Sequence, residues 1–221
     1  MSFFSSLNSS EQSSSKFTFQ YNAETSDTFD PTFLKTLGNF RYDFGDGSLP
    51  ITGDSVSIMP VTGGLKTCTV YVDNKSNIDE VRINNDTIVG TLDLREMTNL
   101  GGDVQLQSNP NLTQILNPTS SQVFTDYRAD SCGLSGTLDV SNLTGLGGDF
   151  RVLSNSNLTS ITNPTSSQIF TVYLANACNL SGTLDLSQLT GLGGNLQIQS
   201  NPNLSQILNP TSSQVFTNYR T

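Results

Sequence analysis

Repetition constrains this chain more than any other feature of its sequence. GTLD begins at Gly90, Gly136 and Gly182, and NPTSSQ begins at Asn117, Asn163 and Asn209, so both segments recur at a step of 46 residues. The unit then divides in two. One column, Val81, Val104, Tyr127, Phe150, Tyr173, Leu196 and Tyr219, advances by 23 residues each time. A second follows two residues later at Ile83, Leu106, Ala129, Val152, Ala175, Ile198 and Thr221. A period of this size points to a solenoid or an array, because one unit cannot bury its apolar side alone and only stacking makes a core.

Three residues beyond the second column stand Asp86, Asn109, Cys132, Asn155, Cys178 and Asn201, which completes the pattern LxxLxLxx(N/C)xL. With LGGNLQIQSNPNL (192–204) and FTDYRADSCGL (124–134), residues 79–221 resemble the leucine-rich-repeat family. The resemblance implies an all-β repeat solenoid of about seven 23-residue turns, each with one short parallel strand. It also implies a structural ladder of buried Asn109, Cys132, Asn155, Cys178 and Asn201 where the chain bends away. The chemistry of a bend agrees, since backbone groups lose their strand partners there and a buried Asn amide can donate and accept in their place. A small, weakly donating Cys fits the same slot. Cys132 and Cys178 lie two turns apart, about 10 Å at ~4.8 Å per strand, too far for a disulfide, so they are expected to stay reduced. Asn-Pro at 117, 163 and 209 breaks any helix on the return path, and GTLD is a candidate for a second row of short strands.

The N-terminal part reads differently. Residues 1–15 contain eight serines and are expected to form a flexible arm. Over 16–78, short alternating segments separated by turn residues predict a small β domain. FRYDFGDGS (40–48) and KTCTVYVDN (66–74) resemble the PKD-type immunoglobulin-like sandwich, with Tyr42 where that family has Trp. In such a domain Asp43 and Asp46 are weak candidates for a calcium site, although Asp-Gly is also ordinary hairpin chemistry. Placed directly before Val81, the domain would cap the solenoid.

Composition narrows the function classes. A net charge of −9 with only ten Lys and Arg disfavours a nucleic-acid partner, and no apolar run is long enough for a membrane span. Charged residues are only 13% of the chain, the polar load lying in Ser, Thr, Asn and Gln, a bias suited to extracellular or virion β proteins. The first residues lack the basic and apolar regions of a Sec signal, so a virion or a surface reached by another route is expected. There is no histidine, which removes Ser-His-Asp and imidazole-metal chemistry, and the acidic residues recur once per turn instead of forming one unique pair. No cofactor motif is present, and an enzyme is not expected.

The remaining surface is the strand face. If the two columns point inward, their neighbours point outward. The first outward column is Glu80, Asp103, Asp126, Asp149, Val172, Asn195 and Asn218; the second is Arg82, Gln105, Arg128, Arg151, Leu174, Gln197 and Arg220; the third is Asn84, Gln107, Asp130, Leu153, Asn176 and Gln199. The concave-face site is expected at Asp103, Gln105, Asp126, Arg128, Asp130, Asp149, Arg151, Leu153, Leu174, Asn176 and Gln197. A surface glycan or a protein receptor would bind there, with the alternative that Asp and Arg merely keep a solvated sheet soluble. The expected role is adhesion or receptor binding on a bacteriophage or bacterial surface; the alternative is a structural tail or decoration component. The strand at Tyr219 is expected to be covered by a carrier protein or a second copy.

Overall fold

A computed structural model describes residues 15–26, 28–35, 40–84, 87–143, 148–165, 170–189, 194–210 and 216–221, with the backbone alone for 33–35. The arm expected over residues 1–15, apart from Ser15, and the ladder position Asp86 lie outside the described residues.

The fold is an all-β solenoid built on stacked parallel strands. Five strands come first: β1 (Ser15–Ala23), β2 (Thr32–Lys35), β3 (Arg41–Asp43), β4 (Ile51–Thr52) and β5 (Gly64–Val72). Strict alternation in β1 turns Phe17, Phe19, Tyr21 and Ala23 inward, and in β5 it turns Cys68, Val70 and Val72 inward. Phe29 stacks on Tyr21 at 4.3 Å and meets Phe44 edge-on at 6.1 Å. The Tyr21 hydroxyl donates to the Phe44 carbonyl at 3.0 Å, so this aromatic core leaves no stranded phenol. A short 3-10 turn (Lys75–Asn77) leads into the repeats.

The repeats supply two rows of strands. The first row is β6 (Ile78–Arg82), β8 (Val104–Gln105), β10 (Tyr127–Arg128), β12 (Asp149–Arg151), β14 (Val172–Leu174), β16 (Asn195–Gln197) and β18 (Asn218–Arg220), interleaved along the chain with the second row, β7 (Ile88–Asp93), β9 (Leu112–Leu116), β11 (Ser135–Asp139), β13 (Asn157–Thr162), β15 (Ser181–Asp185) and β17 (Asn203–Leu208). First-row strands are parallel and in register at the sequence step of 23, as in Val104↔Tyr127, Tyr127↔Phe150 and Tyr173↔Leu196. With β2 added antiparallel to β6, they form one eight-stranded sheet ordered β18-β16-β14-β12-β10-β8-β6-β2. The N-terminal strands also join the second row, through Gln20↔Val89 and Tyr21↔Ile88, giving the sheet β4-β3-β5-β1-β7-β9. Backbone pairing thus links 15–72 to the first turn on both sheets.

The second row explains why the sequence repeats at 46 and not only at 23. Its strands pair two by two, β7 with β9, β11 with β13 and β15 with β17, each pair carrying a bulge just after Gly90, Gly136 or Gly182. Those three glycines have φ of +75°, +69° and +68°, where a side chain is disfavoured, so the bulge itself selects Gly in every second turn. Between pairs, side chains take over: the Asn117 and Asn163 amides donate to the Asp139 and Asp185 carbonyls at 2.8 and 3.0 Å.

Between the two rows lies one continuous apolar core. Val81, Val104, Tyr127, Phe150, Tyr173 and Leu196 are fully buried, as are Leu106, Ala129, Val152 and Ala175. Phe150 contacts Tyr127 at 5.6 Å and Tyr173 at 4.9 Å, so aromatic contacts run through successive turns at about 0.5–1.5 kcal/mol per pair beyond their burial. In the last turn, Leu204, Ile207 and Phe216 are only partly buried and Tyr219 is exposed.

Candidate functional site

The ladder beneath the strand face sets its geometry. Asn155 donates its amide to the Ala129 and Val152 carbonyls at 2.8 and 2.7 Å and accepts the Leu134 N–H at 3.2 Å. Asn109 and Asn201 do the same one repeat away on either side. Cys132 and Cys178 each donate to a carbonyl of the preceding turn, Leu106 at 3.0 Å and Val152 at 3.2 Å. All three cysteines are free and buried. Burial pushes the Cys132 thiol up to about 11 and raises that of Cys178 as well, so neither is a nucleophile near neutral pH. The residue before each rung of the ladder, Ser108, Ser131, Ser154, Ala177 or Ser200, has φ between 54° and 62°. This left-handed kink turns the chain out of the strand. The sequence offered little sign of it, since Ser and Ala stand where Gly would be the ordinary choice.

From β6 to β12 the outward residues of the eight-stranded sheet are half-buried shoulder to shoulder, and Arg82, Arg128 and Arg151 are ion-paired within the chain. Arg82 Nη2 lies 2.7 Å from Glu80 and 2.9 Å from Asp103, and the Gln105 amide donates to the same Asp103 oxygen at 2.8 Å. Arg128 Nη2 bridges Asp126 at 2.8 Å and Asp149 at 3.2 Å, while Arg151 Nη2 closes on Asp149 at 2.5 Å. The Asp149 N–H also donates to Asp126 across the turn at 2.8 Å. Asp130 sits one column over, where burial raises its carboxyl above the ordinary range despite its own backbone N–H and the opposing pull of Arg151 and Arg128. The structure therefore brings together the expected Asp103, Gln105, Asp126, Arg128, Asp149 and Arg151, but as mutual partners.

Beyond β12 the character of the face changes. Val172 occupies the acidic column opposite Asp149 and Asn195, and Leu174 the basic column opposite Arg151 and Gln197. Leu153 lies one rung back in the third column, diagonal to Leu174. These three half-buried apolar side chains are bordered by the amides of Asn176, Gln197 and Asn195. Along the third column Asn84 Oδ1, Gln107 Oε1, Asn176 Oδ1 and Gln199 Oε1 are all buried without a hydrogen-bond partner. Strand alternation was enough to find these positions. What it could not supply is which arginine each aspartate would hold.

The two metal candidates are tied into the hairpin. Asp46 accepts the Ser48 N–H at 3.0 Å and its hydroxyl at 2.6 Å on one oxygen and the Val61 N–H at 2.8 Å on the other, and Asp43 accepts the Gly45 N–H at 3.0 Å. Burial alone would raise the Asp46 carboxyl, but these donors hold it below the usual carboxylate range. Among the described residues no group of three or more Cys, Asp or Glu is placed to hold a metal ion, and no helix is long and apolar enough to cross a membrane. Comparison with protein-family models, with curated proteins and with solved structures finds no match.

Proposed function

We propose that this chain is a non-catalytic binding module that recognises a glycan or protein through the outward face of its eight-stranded sheet, as a leucine-rich-repeat solenoid headed by a PKD-like β domain. The observation that carries the reading is the break in the ion-pair ladder. From Glu80 to Arg151 the face is held by ion pairs of Arg82, Arg128 and Arg151 with Glu80, Asp103, Asp126 and Asp149, which suffices for solubility; a sheet with no other task has no need to interrupt them with Val172, Leu174 and Leu153 in its middle. Apolar side chains ringed by polar ones are the usual composition of an interaction hot spot. The acidic, Ser/Thr/Asn-rich composition suits a surface or particle setting, on a bacteriophage or a bacterial cell.

The test is an array of host-surface and mucin-type glycans and surface proteins probed with the labelled intact chain, and with Leu153→Asp and Leu174→Asp variants shown by circular dichroism to fold. Binding that disappears in both variants is expected. Binding that ignores both but is lost when the NPTSSQ segments are altered would place the site on the opposite side. A second reading, a rigid spacer in a virion, draws on the same ladder from Glu80 to Arg151, whose three arginines are all ion-paired within the chain.

A further inference from the structure

Resting on the strand-face reading, we infer that the ligand is an uncharged, hydroxyl-rich glycan seated across β12, β14 and β16, on Leu153, Val172 and Leu174, with its hydroxyls met by Asn176, Asn195 and Gln197. The inference begins with charge. Val172, Leu174, Asn176, Asn195 and Gln197 include no ionisable group; the platform is flanked by Asp130 beside Leu153, by Arg151, whose Nη2 is committed to Asp149 at 2.5 Å, and by Arg220 beside Gln197, whose Nε donates to Asn218 at 3.1 Å. An anionic ligand centred on Leu174 would meet a cation only at the Arg220 edge, within a chain whose net charge of −9 repels it. A cationic ligand would find Asp149 already held by two arginines, and beside Leu153 only Asp130, whose half-buried carboxyl is biased toward its neutral form.

Shape and hydrogen-bond chemistry narrow the class further. A pyranose ring has an apolar C–H face and a rim of hydroxyls, each of which both donates and accepts. It therefore needs a small apolar platform edged by groups that also do both, and a side-chain amide is such a group. Asn176 Oδ1 and Gln199 Oε1 are buried without a hydrogen-bond partner, so turning either amide outward breaks no bond at that oxygen, and the terminal torsion of an amide side chain is broad and roughly two-fold. These amides can turn to present oxygen or nitrogen as each hydroxyl requires. The rungs are spaced at about 4.8 Å, close to the advance of an extended pyranose chain per sugar, so neighbouring sugars meet neighbouring rungs. A protein partner fits less well. Protein hot spots centre on Trp, Tyr and Arg, yet the chain has no Trp, Tyr173 is turned wholly into the core, and Arg151 is tied down.

The experiment immobilises the full chain at high density, so that weak multivalent contacts register, and probes it with neutral polysaccharides (glucans, mannans and galactans), with sialylated and sulfated glycans, and with surface proteins, each at low and high salt. At least one neutral glycan is expected to bind with an affinity unchanged by salt. Asn176→Ala and Gln197→Ala are each expected to weaken it about tenfold, Leu174→Asp to abolish it, and Thr137→Ala on the other sheet to leave it unaltered. Binding that depends on Leu174 but is confined to charged glycans and fades with salt, or is confined to a protein, overturns the neutral-glycan inference and leaves the strand-face reading standing. Binding that does not depend on Leu174, or no binding to any probe, overturns both.

Discussion

Replacing Asn155 by Ala tests the bend chemistry on which the whole face rests. The substitution removes four hydrogen bonds at once, those to Ala129 O, Val152 O and Leu134 N–H and a longer one to Leu153 O at 3.4 Å. The Val152 carbonyl keeps the Cys178 thiol at 3.2 Å, but the Ala129 carbonyl and the Leu134 N–H, both on buried residues, lose their amide partner. Two orphaned buried groups at about 1–3 kcal/mol each, with a small cavity added, put the expected loss at about 3–5 kcal/mol. Asn155→Cys is expected to cost roughly half as much, because a Cys in this slot still donates to one carbonyl, as Cys132 does to Leu106, while the Leu134 N–H stays unpaired. Urea unfolding gives the total, and hydrogen exchange at the Leu134 amide gives the local part, which should rise first. Thr137→Ala, on an exposed residue, serves as the reference at under about 0.5 kcal/mol. If Asn155→Ala costs no more than that reference, or if the Leu134 amide keeps its protection, the ladder does not work as described.

Three further outcomes follow from the same geometry. Cys132 and Cys178 should resist iodoacetamide in the folded chain at neutral pH and react only on unfolding; modification of the native protein at the rate of a free thiol would contradict their raised thiol pKa values. Because the Asp46 carboxyl is held below its unfolded value, the stability it confers is fully present above about pH 4 and drains away as pH falls through the lower folded value; Asp46→Asn should be less stable at neutral pH and converge with the parent in acid. Melting curves that keep a constant gap from neutral to acid would rule this out. At Gly148 a methyl group would sit 2.2 Å from the Thr125 carbonyl oxygen and 2.4 Å from Asp126 Oδ1, so Gly148→Ala should cost about 1–3 kcal/mol by denaturation, and an unchanged midpoint would show that the turn yields freely.

Much of this architecture is legible in the sequence, for a physical reason. In a solenoid each residue meets the residue one turn away, so the contact that buries Tyr127 against Phe150 is also the spacing that aligns them on the page, and a column of 23-residue steps is already a contact list. The inward columns, the Asn and Cys ladder and the outward face all follow from that step. Tertiary structure decided what no fixed step encodes. The pairing of β1 with β7 and of β2 with β6 joins segments that share no repeat, and only folding shows that both N-terminal edges continue into the solenoid's sheets. The left-handed kink at Ser131 and Ser154 lies in the backbone, where residue type barely signals it. The sequence likewise placed Asp126, Arg128, Asp149 and Arg151 on one face, but whether their charges were free for a ligand depended on where long side chains end in space. In the folded chain they end on one another, and the ion pairs stop at the uncharged break of Val172 and Leu174.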